Sequence, residues 1–85
     1  MTAIVIYTKE QCPYCVNAKQ LLKTKGYTFE EIDIGRNLDL ALQVVEKSGQ
    51  RTVPQIFVGE HPIGGYSELV KKTNSGEFDA LIRNH

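Results

Sequence analysis

The run Ala3-Ile4-Val5-Ile6-Tyr7-Thr8 is apolar at consecutive positions and rich in β-branched side chains, without the alternation of a strand that has one wet face. Such a run predicts a strand covered on both sides, and therefore a central strand with further elements above and below it. A chain of 85 residues has room for one core of this kind, so residues 1–85 read as a single domain.

The covering elements follow in order. Pro13 to Lys25 predicts a helix: proline suits the first position, where an N–H would lack a partner, Cys15, Ala18, Leu21 and Leu22 fall at helical spacing, and Gly26 stops it. Thr28 to Ile34 predicts a second strand from its β-branched and aromatic content, with Glu30-Glu31 breaking the alternation. Leu38 to Lys47 predicts a second helix, with an apolar stripe through Leu38, Ala41, Leu42 and Val45 that Leu40 and Val44 widen, and Gly49 beyond its end. Gln55 to Val58 and His61 to Ile63 predict a hairpin around Gly59-Glu60, where a leading glycine suits a type II′ turn and Pro62 confines its strand to a sheet edge. After Gly64-Gly65, the spacing of Tyr66, Leu69, Val70 and Thr73 predicts a third helix, and Phe78, Leu81 and Ile82 a short fourth beyond Gly76.

The order β-α-β-α-β-β-α-α defines an α/β fold. The strand-helix-strand unit requires a right-handed crossover between parallel strands, and the later hairpin adds antiparallel ones. A mixed four-stranded sheet with helices on both faces results.

Ten Lys and Arg against ten Asp and Glu leave no net charge, which argues against nucleic acid or an anionic membrane as partner. No apolar run approaches the roughly 18 residues needed to cross a bilayer. Met1-Thr2-Ala3 carries neither the basic stretch nor the cleavage site of a secretory leader, so the chain is expected to be cytoplasmic and unprocessed.

Cys12 and Cys15 are the whole thiol inventory, so no disulfide framework supports the fold. They stand where the first strand gives way to the first helix, about one turn apart on one face, and can form a disulfide. Cys12 lies at the helix start, where unpaired N–H groups and the macrodipole stabilise a thiolate, and Cys15 lies one turn inside. Cys12 is thereby the expected nucleophile, and Cys15 the resolving thiol that attacks a mixed disulfide formed on Cys12. A Cys-x-x-Cys pair also serves metals, but structural zinc needs four ligands, and His61 and His85 are too far apart for the closely spaced pair of a zinc finger. Beside a strand-helix-strand pattern the pair reads as redox-active, with no metal.

Cys12-Pro13-Tyr14-Cys15, Thr52-Val53-Pro54 and Gly64-Gly65-Tyr66-Ser67-Glu68-Leu69, with Lys9 ahead of them, closely resemble the dithiol glutaredoxins in kind and order over almost the whole chain. The resemblance implies a thioredoxin fold and a monomeric thiol–disulfide oxidoreductase that uses glutathione as co-substrate. It would reduce protein disulfides and protein–glutathione mixed disulfides, with electrons from NADPH through glutathione reductase and ribonucleotide reductase as a plausible client.

On the residues alone, Thr52-Val53-Pro54 is the beginning of a strand, Gly64-Gly65 a turn, and Lys9 and Arg51 solvated cations. By resemblance, Pro54 is cis, the backbone of Val53 pairs with the peptide-like middle of glutathione, and Thr52 flanks that contact. Gly65, Tyr66 and Ser67 would receive the γ-glutamyl carboxylate at a helix N-terminus, with Glu68 near the ammonium. Lys9 would meet the glycyl carboxylate and favour the Cys12 thiolate, Arg51 would flank the Thr-Val-Pro loop, and Tyr14 would wall the groove. Tyr66 stands where many relatives have a smaller residue, and its ring either closes the groove or faces solvent. Many glutaredoxins also use a glutamine on the second helix; the matching position here is Ala41, which leaves Gln43 or Arg36 as substitutes. His61 and His85 receive no role.

Two rival readings remain at this stage. A redoxin reduced directly by thioredoxin reductase would leave the Gly-Gly-Tyr-Ser segment without a purpose. An iron–sulfur carrier, with Cys12 and glutathione thiolates of two subunits as ligands, is disfavoured by Pro13, since cluster-binding relatives usually have a small residue there.

Overall fold

The computed structural model describes residues 3–84, so Met1, Thr2 and His85, and the readings that fell on them, lie outside the described residues. The elements run β1 (Ile4–Thr8), α1 (Pro13–Thr24), β2 (Glu30–Asp33), α2 (Leu38–Ser48), β3 (Gln55–Val58), β4 (His61–Gly64), α3 (Tyr66–Ser75) and α4 (Glu77–Asn84). The four-stranded sheet has the order β2-β1-β3-β4. β1 runs parallel to β2 and antiparallel to β3, and β3 runs antiparallel to β4 with a bulge between Ile56 and Phe57. The α/β thioredoxin fold with a mixed sheet is therefore the observed one.

β1 is internal, as its apolar run requires, and its two faces are covered unequally. Ile4 and Ile6 are buried with Ala18 and Leu22 of α1, Leu69 of α3 and Phe78 of α4. Side chains of this size each contribute roughly 1.5–3 kcal/mol when fully buried. On the opposite face Val44 of α2 meets Ile34 and Phe57, with Tyr7, Ile32, Leu40 and Ala41 only partly covered. A single helix shields that side, which is why Val5 and Tyr7 stay half-exposed between buried neighbours.

The second strand is shorter than the predicted Thr28–Ile34. It is an edge strand paired with β1 from Val5 opposite Glu30 to Thr8 opposite Asp33, and Thr28 and Phe29 lie ahead of the paired stretch. Ile34 still donates its N–H to the Thr8 carbonyl at 2.8 Å before the chain turns at Gly35. The Glu30-Glu31 interruption belongs to the polar rim of this edge. The Glu31 carboxylate accepts from the Thr8 hydroxyl at 2.8 Å and pairs with Lys19 at 3.0 Å. Thr8 first, and Lys19 second, hold it below the usual carboxylate range.

Other boundaries differ by one residue. Lys25 caps α1 rather than ending it, α2 runs on to Ser48, and Ala3 precedes β1 while its carbonyl accepts from Gly59 at 2.8 Å. Gly59, with φ +61°, takes the left-handed position of the β3–β4 turn, as a leading glycine in a type II′ turn should, and β4 with Pro62 is the opposite sheet edge. No helix among the described residues is long and apolar enough to cross a membrane.

Candidate active site

Cys12 is the N-cap of α1, extended at φ −114° and ψ 100°, with Pro13 as the first helical residue. A left-handed Gln11, at φ +57°, turns the chain out of β1 just before it. Cys12 and Cys15 are joined as a disulfide, with Cα atoms 5.2 Å apart. The backbone N–H of Cys15 donates to Cys12 Sγ at 3.1 Å. Cys15 is 2% exposed and part of the core, whereas Cys12 is only half-buried. One sulfur is thus reachable and supported by a helix N–H, and the other waits beneath it. An attacking and a resolving thiol would need this same asymmetry.

Opposite the pair stands the loop between α2 and β3. The Val53–Pro54 peptide bond is cis, and Cys12 Sγ lies 3.8 Å from the Val53 carbonyl oxygen. Gln55, the first residue of β3, holds this loop from below: its Nε2 donates to the Thr52 carbonyl and to Gln50 Oε1, each at 2.9 Å.

The turn from β4 into α3 forms the far wall. Gly64 has φ +117°, and a Cβ there would lie 2.6 Å from Glu68 Oε1, so both backbone and space call for glycine. Gly65 caps α3, its N–H donating to Glu68 Oε1 at 2.7 Å, while the Ser67 hydroxyl donates to Glu68 Oε2 at 2.6 Å. Those two donors, Ser67 first, hold the Glu68 carboxyl below its ordinary range. The Gly65 N–H and the Ser67 hydroxyl are therefore already engaged with the chain's own carboxylate, rather than standing open for an incoming anion.

Tyr14, Thr52, Val53, Pro54, Gly65, Tyr66 and Ser67 line one groove of about 480 Å³. The ring of Tyr66 is partly exposed and forms part of the groove wall: it stacks on Tyr14 with centroids 5.9 Å apart and 28° between planes, and packs against the core. Lys9 and Arg51 do not line this groove. They border a smaller hollow of about 130 Å³ that reaches it through Gln50, Thr52 and Val53, with Ala41 as part of its apolar wall. Lys9 also borders a depression on the other side of the disulfide, with Cys12, Cys15, Lys19 and Glu31. Gln43 and Arg36 are exposed and line neither the groove nor the hollow.

Sequence reasoning passed over Gln50, which lines both groove and hollow. It also passed over Gln55 and understated Glu68. The available signals were a glutamine next to Arg51-Thr52-Val53-Pro54, a polar side chain opening the otherwise apolar Gln55-Ile56-Phe57-Val58, and the acid three residues after an N-capping glycine.

Comparison with known proteins agrees with this geometry. The family model described as Glutaredoxin matches residues 4–63. A curated glutaredoxin of Pseudomonas aeruginosa is 44% identical over 82 residues, covering 96% of this chain and 98% of its own length. Glutaredoxin 3 of Escherichia coli is 42% identical, over 98% of this chain and 100% of its own. Among solved structures, a buckwheat glutaredoxin–glutathione complex superposes with a TM-score of 0.87 at 27% identity, over 98% of this chain and 78% of that one. A glutaredoxin from Brucella melitensis superposes with a TM-score of 0.85 at 41% identity, over 96% of this chain and 89% of its own.

Proposed function

The chain belongs to the glutaredoxin family, and from that premise we propose that this thiol–disulfide oxidoreductase is glutathione-dependent and reduces protein–glutathione mixed disulfides and protein disulfides. The observation that carries the reading is the Cys12 sulfur 3.8 Å from the carbonyl of Val53, a residue that lines the groove between Tyr14 and Tyr66. A short peptide seated there as an added strand segment would present its own sulfur to Cys12.

The Cys12 thiolate attacks the glutathione sulfur of a mixed disulfide, the S–S bond breaks, and the protein leaves as a thiolate that takes a proton from water. Cys12 now carries the glutathionyl group. A second glutathione thiolate attacks that group, forming glutathione disulfide and restoring Cys12. Glutathione reductase and NADPH then reduce the glutathione disulfide. With a protein disulfide, Cys12 forms the mixed disulfide with the client, and Cys15 attacks Cys12 to release the reduced client and close the internal disulfide. Lys9 and Arg51, beside the adjoining hollow, would draw the glycyl carboxylate, and the backbone N–H groups of Tyr66 and Ser67 at the start of α3, distinct from the Gly65 N–H and Ser67 hydroxyl that Glu68 occupies, would hold the γ-glutamyl end. The reading places the protein in the cytoplasm as a monomer, with ribonucleotide reductase as one candidate client.

The test is NADPH oxidation with a small glutathione mixed disulfide, driven either by glutathione and glutathione reductase or by thioredoxin reductase. Turnover with glutathione alone is expected. Turnover only with thioredoxin reductase would overturn the glutathione dependence.

A further inference from the structure

Thr8 and Gln55 are the buried polar side chains among the described residues. Thr8 is accounted for by its hydrogen bond to Glu31. Gln55 is 1% exposed, lies opposite Tyr7 in the β1–β3 pairing, and has one amide end committed and the other orphaned. Its nitrogen carries two hydrogens, which meet the Thr52 carbonyl and Gln50 Oε1 at 2.9 Å each, with Thr52 Oγ1 a weaker third at 3.4 Å. Its Oε1 has no hydrogen-bond partner among the described residues. An apolar side chain would continue the Ile56-Phe57-Val58 run and avoid an unpaired buried acceptor, which lowers stability. Both donors of this amide go to one segment, Gln50 to Thr52, and that segment leads directly to the Val53 carbonyl beside Cys12.

We propose that Gln55 is a positioning residue for substrate capture: it fixes the Thr52–Val53 backbone in the place from which it receives a glutathionyl group beside Cys12. The inference rests on reading the groove as the glutathione site. Gln55 touches neither substrate nor sulfur and acts through Thr52 and Gln50. Its effect should therefore fall on the capture of the glutathionylated substrate and not on the reactivity of the cysteine pair.

The experiment compares wild type, Gln55→Leu, Gln50→Ala and the double variant in three measurements. These are steady-state turnover of a glutathionylated peptide, the rate at which dithiothreitol reduces the Cys12–Cys15 disulfide, and backbone ¹⁵N order parameters. In Gln55→Leu, KM should rise about tenfold, the size of one net hydrogen bond, with kcat changed less than about twofold. Reduction by dithiothreitol, which needs no groove, should be unaltered. Order parameters at Thr52 and Val53 should fall from about 0.85 toward 0.6 while β3 stays rigid. Gln50→Ala should shift KM in the same direction by less, and the double variant should be no worse than Gln55→Leu alone. Unchanged KM and order parameters would overturn the proposal. So would parallel losses in KM, kcat and dithiothreitol reduction, the mark of a merely structural residue, or fully additive effects in the double variant. If Gln55→Leu does not fold, the exposed Gln50→Ala decides, and an unchanged KM with an unchanged loop overturns the proposal. A wild type inactive with glutathione would refute the function proposed for the groove, and the order parameters alone would then judge Gln55.

Discussion

The backbone N–H of Cys15 points at Cys12 Sγ from 3.1 Å, so a sulfur occupies the capping place that a serine or aspartate oxygen fills at other helix starts. Once the disulfide is reduced, the same N–H faces the Cys12 thiolate. Cys12→Ser should bring turnover of glutathionylated substrate to background. Cys15→Ser should retain it within about threefold but lose reduction of protein disulfides, because only the second reaction needs the resolving attack. A coupled NADPH assay on both substrates checks this. Equal loss in the two variants would contradict the division of labour.

Glu68 makes the α3 start sensitive to acid. Its carboxyl is held low by the Ser67 hydroxyl and the Gly65 N–H, so it binds protons less readily folded than unfolded. Its contribution is therefore complete above the unfolded carboxylate range and lost as pH falls through the lower folded value. Glu68→Gln should melt lower than wild type at neutral pH, by the equivalent of about 1 kcal/mol for a weakened cap. The gap should close as the pH falls through and below the ordinary carboxylate range. Melting temperatures across that range, which must converge at the acid end, test it.

Gly64→Ala and Gly26→Ala should differ sharply although both positions have positive φ. At Gly26 a Cβ meets nothing within 4 Å, so only the backbone penalty of about 1–2 kcal/mol applies. At Gly64 it would meet the Glu68 side chain at Oε1, Cγ and Cβ, between 2.6 and 3.0 Å, and displace the cap as well. The expected cost is about 3 kcal/mol or more, read from urea unfolding at equal m-values. Comparable losses at the two sites would show that Glu68 yields freely.

The Tyr14–Tyr66 stack should matter through its faces and not its hydroxyls. Tyr66→Phe should leave KM for a glutathionylated peptide within about twofold. Tyr66→Ser should raise it roughly two- to tenfold, the value of a lost aromatic pair. Steady-state kinetics of the two variants suffice, and a large effect of Tyr66→Phe would point instead to the phenol.

Element order, helix starts and the central place of β1 were legible because they are local: Pro13, Gly49, Gly59 and Pro62 each speak through their own backbone. The length of β2 was not, since it depends on how far the pairing with β1 extends, information carried by other residues. Within the site, the cysteine roles followed from a helix start, and the Thr-Val-Pro and Gly-Gly segments from family resemblance. Gln55 escaped because its meaning lies in Gln50 and Thr52 folded over it, and a single polar residue in an apolar strand carries no sign of what it binds. Lys9 lies with the cysteine pair and Arg51 with the Thr-Val-Pro loop, but that both border a hollow separate from the groove is a distinction that spacing along a chain does not encode.

The pairing of β1 with β3 places Ile4 opposite Val58, Ile6 opposite Ile56 and Tyr7 opposite Gln55, and it is what brings Cys12 beside Val53. The two halves of the site are thus made at different times in the life of the chain. A newly synthesised chain has its complete thiol pair by Cys15, but no partner surface until Val53 has emerged and β3 has taken its register. During that interval the dithiol is open to any oxidant that reaches it, and selectivity begins only when the last central strand slots home.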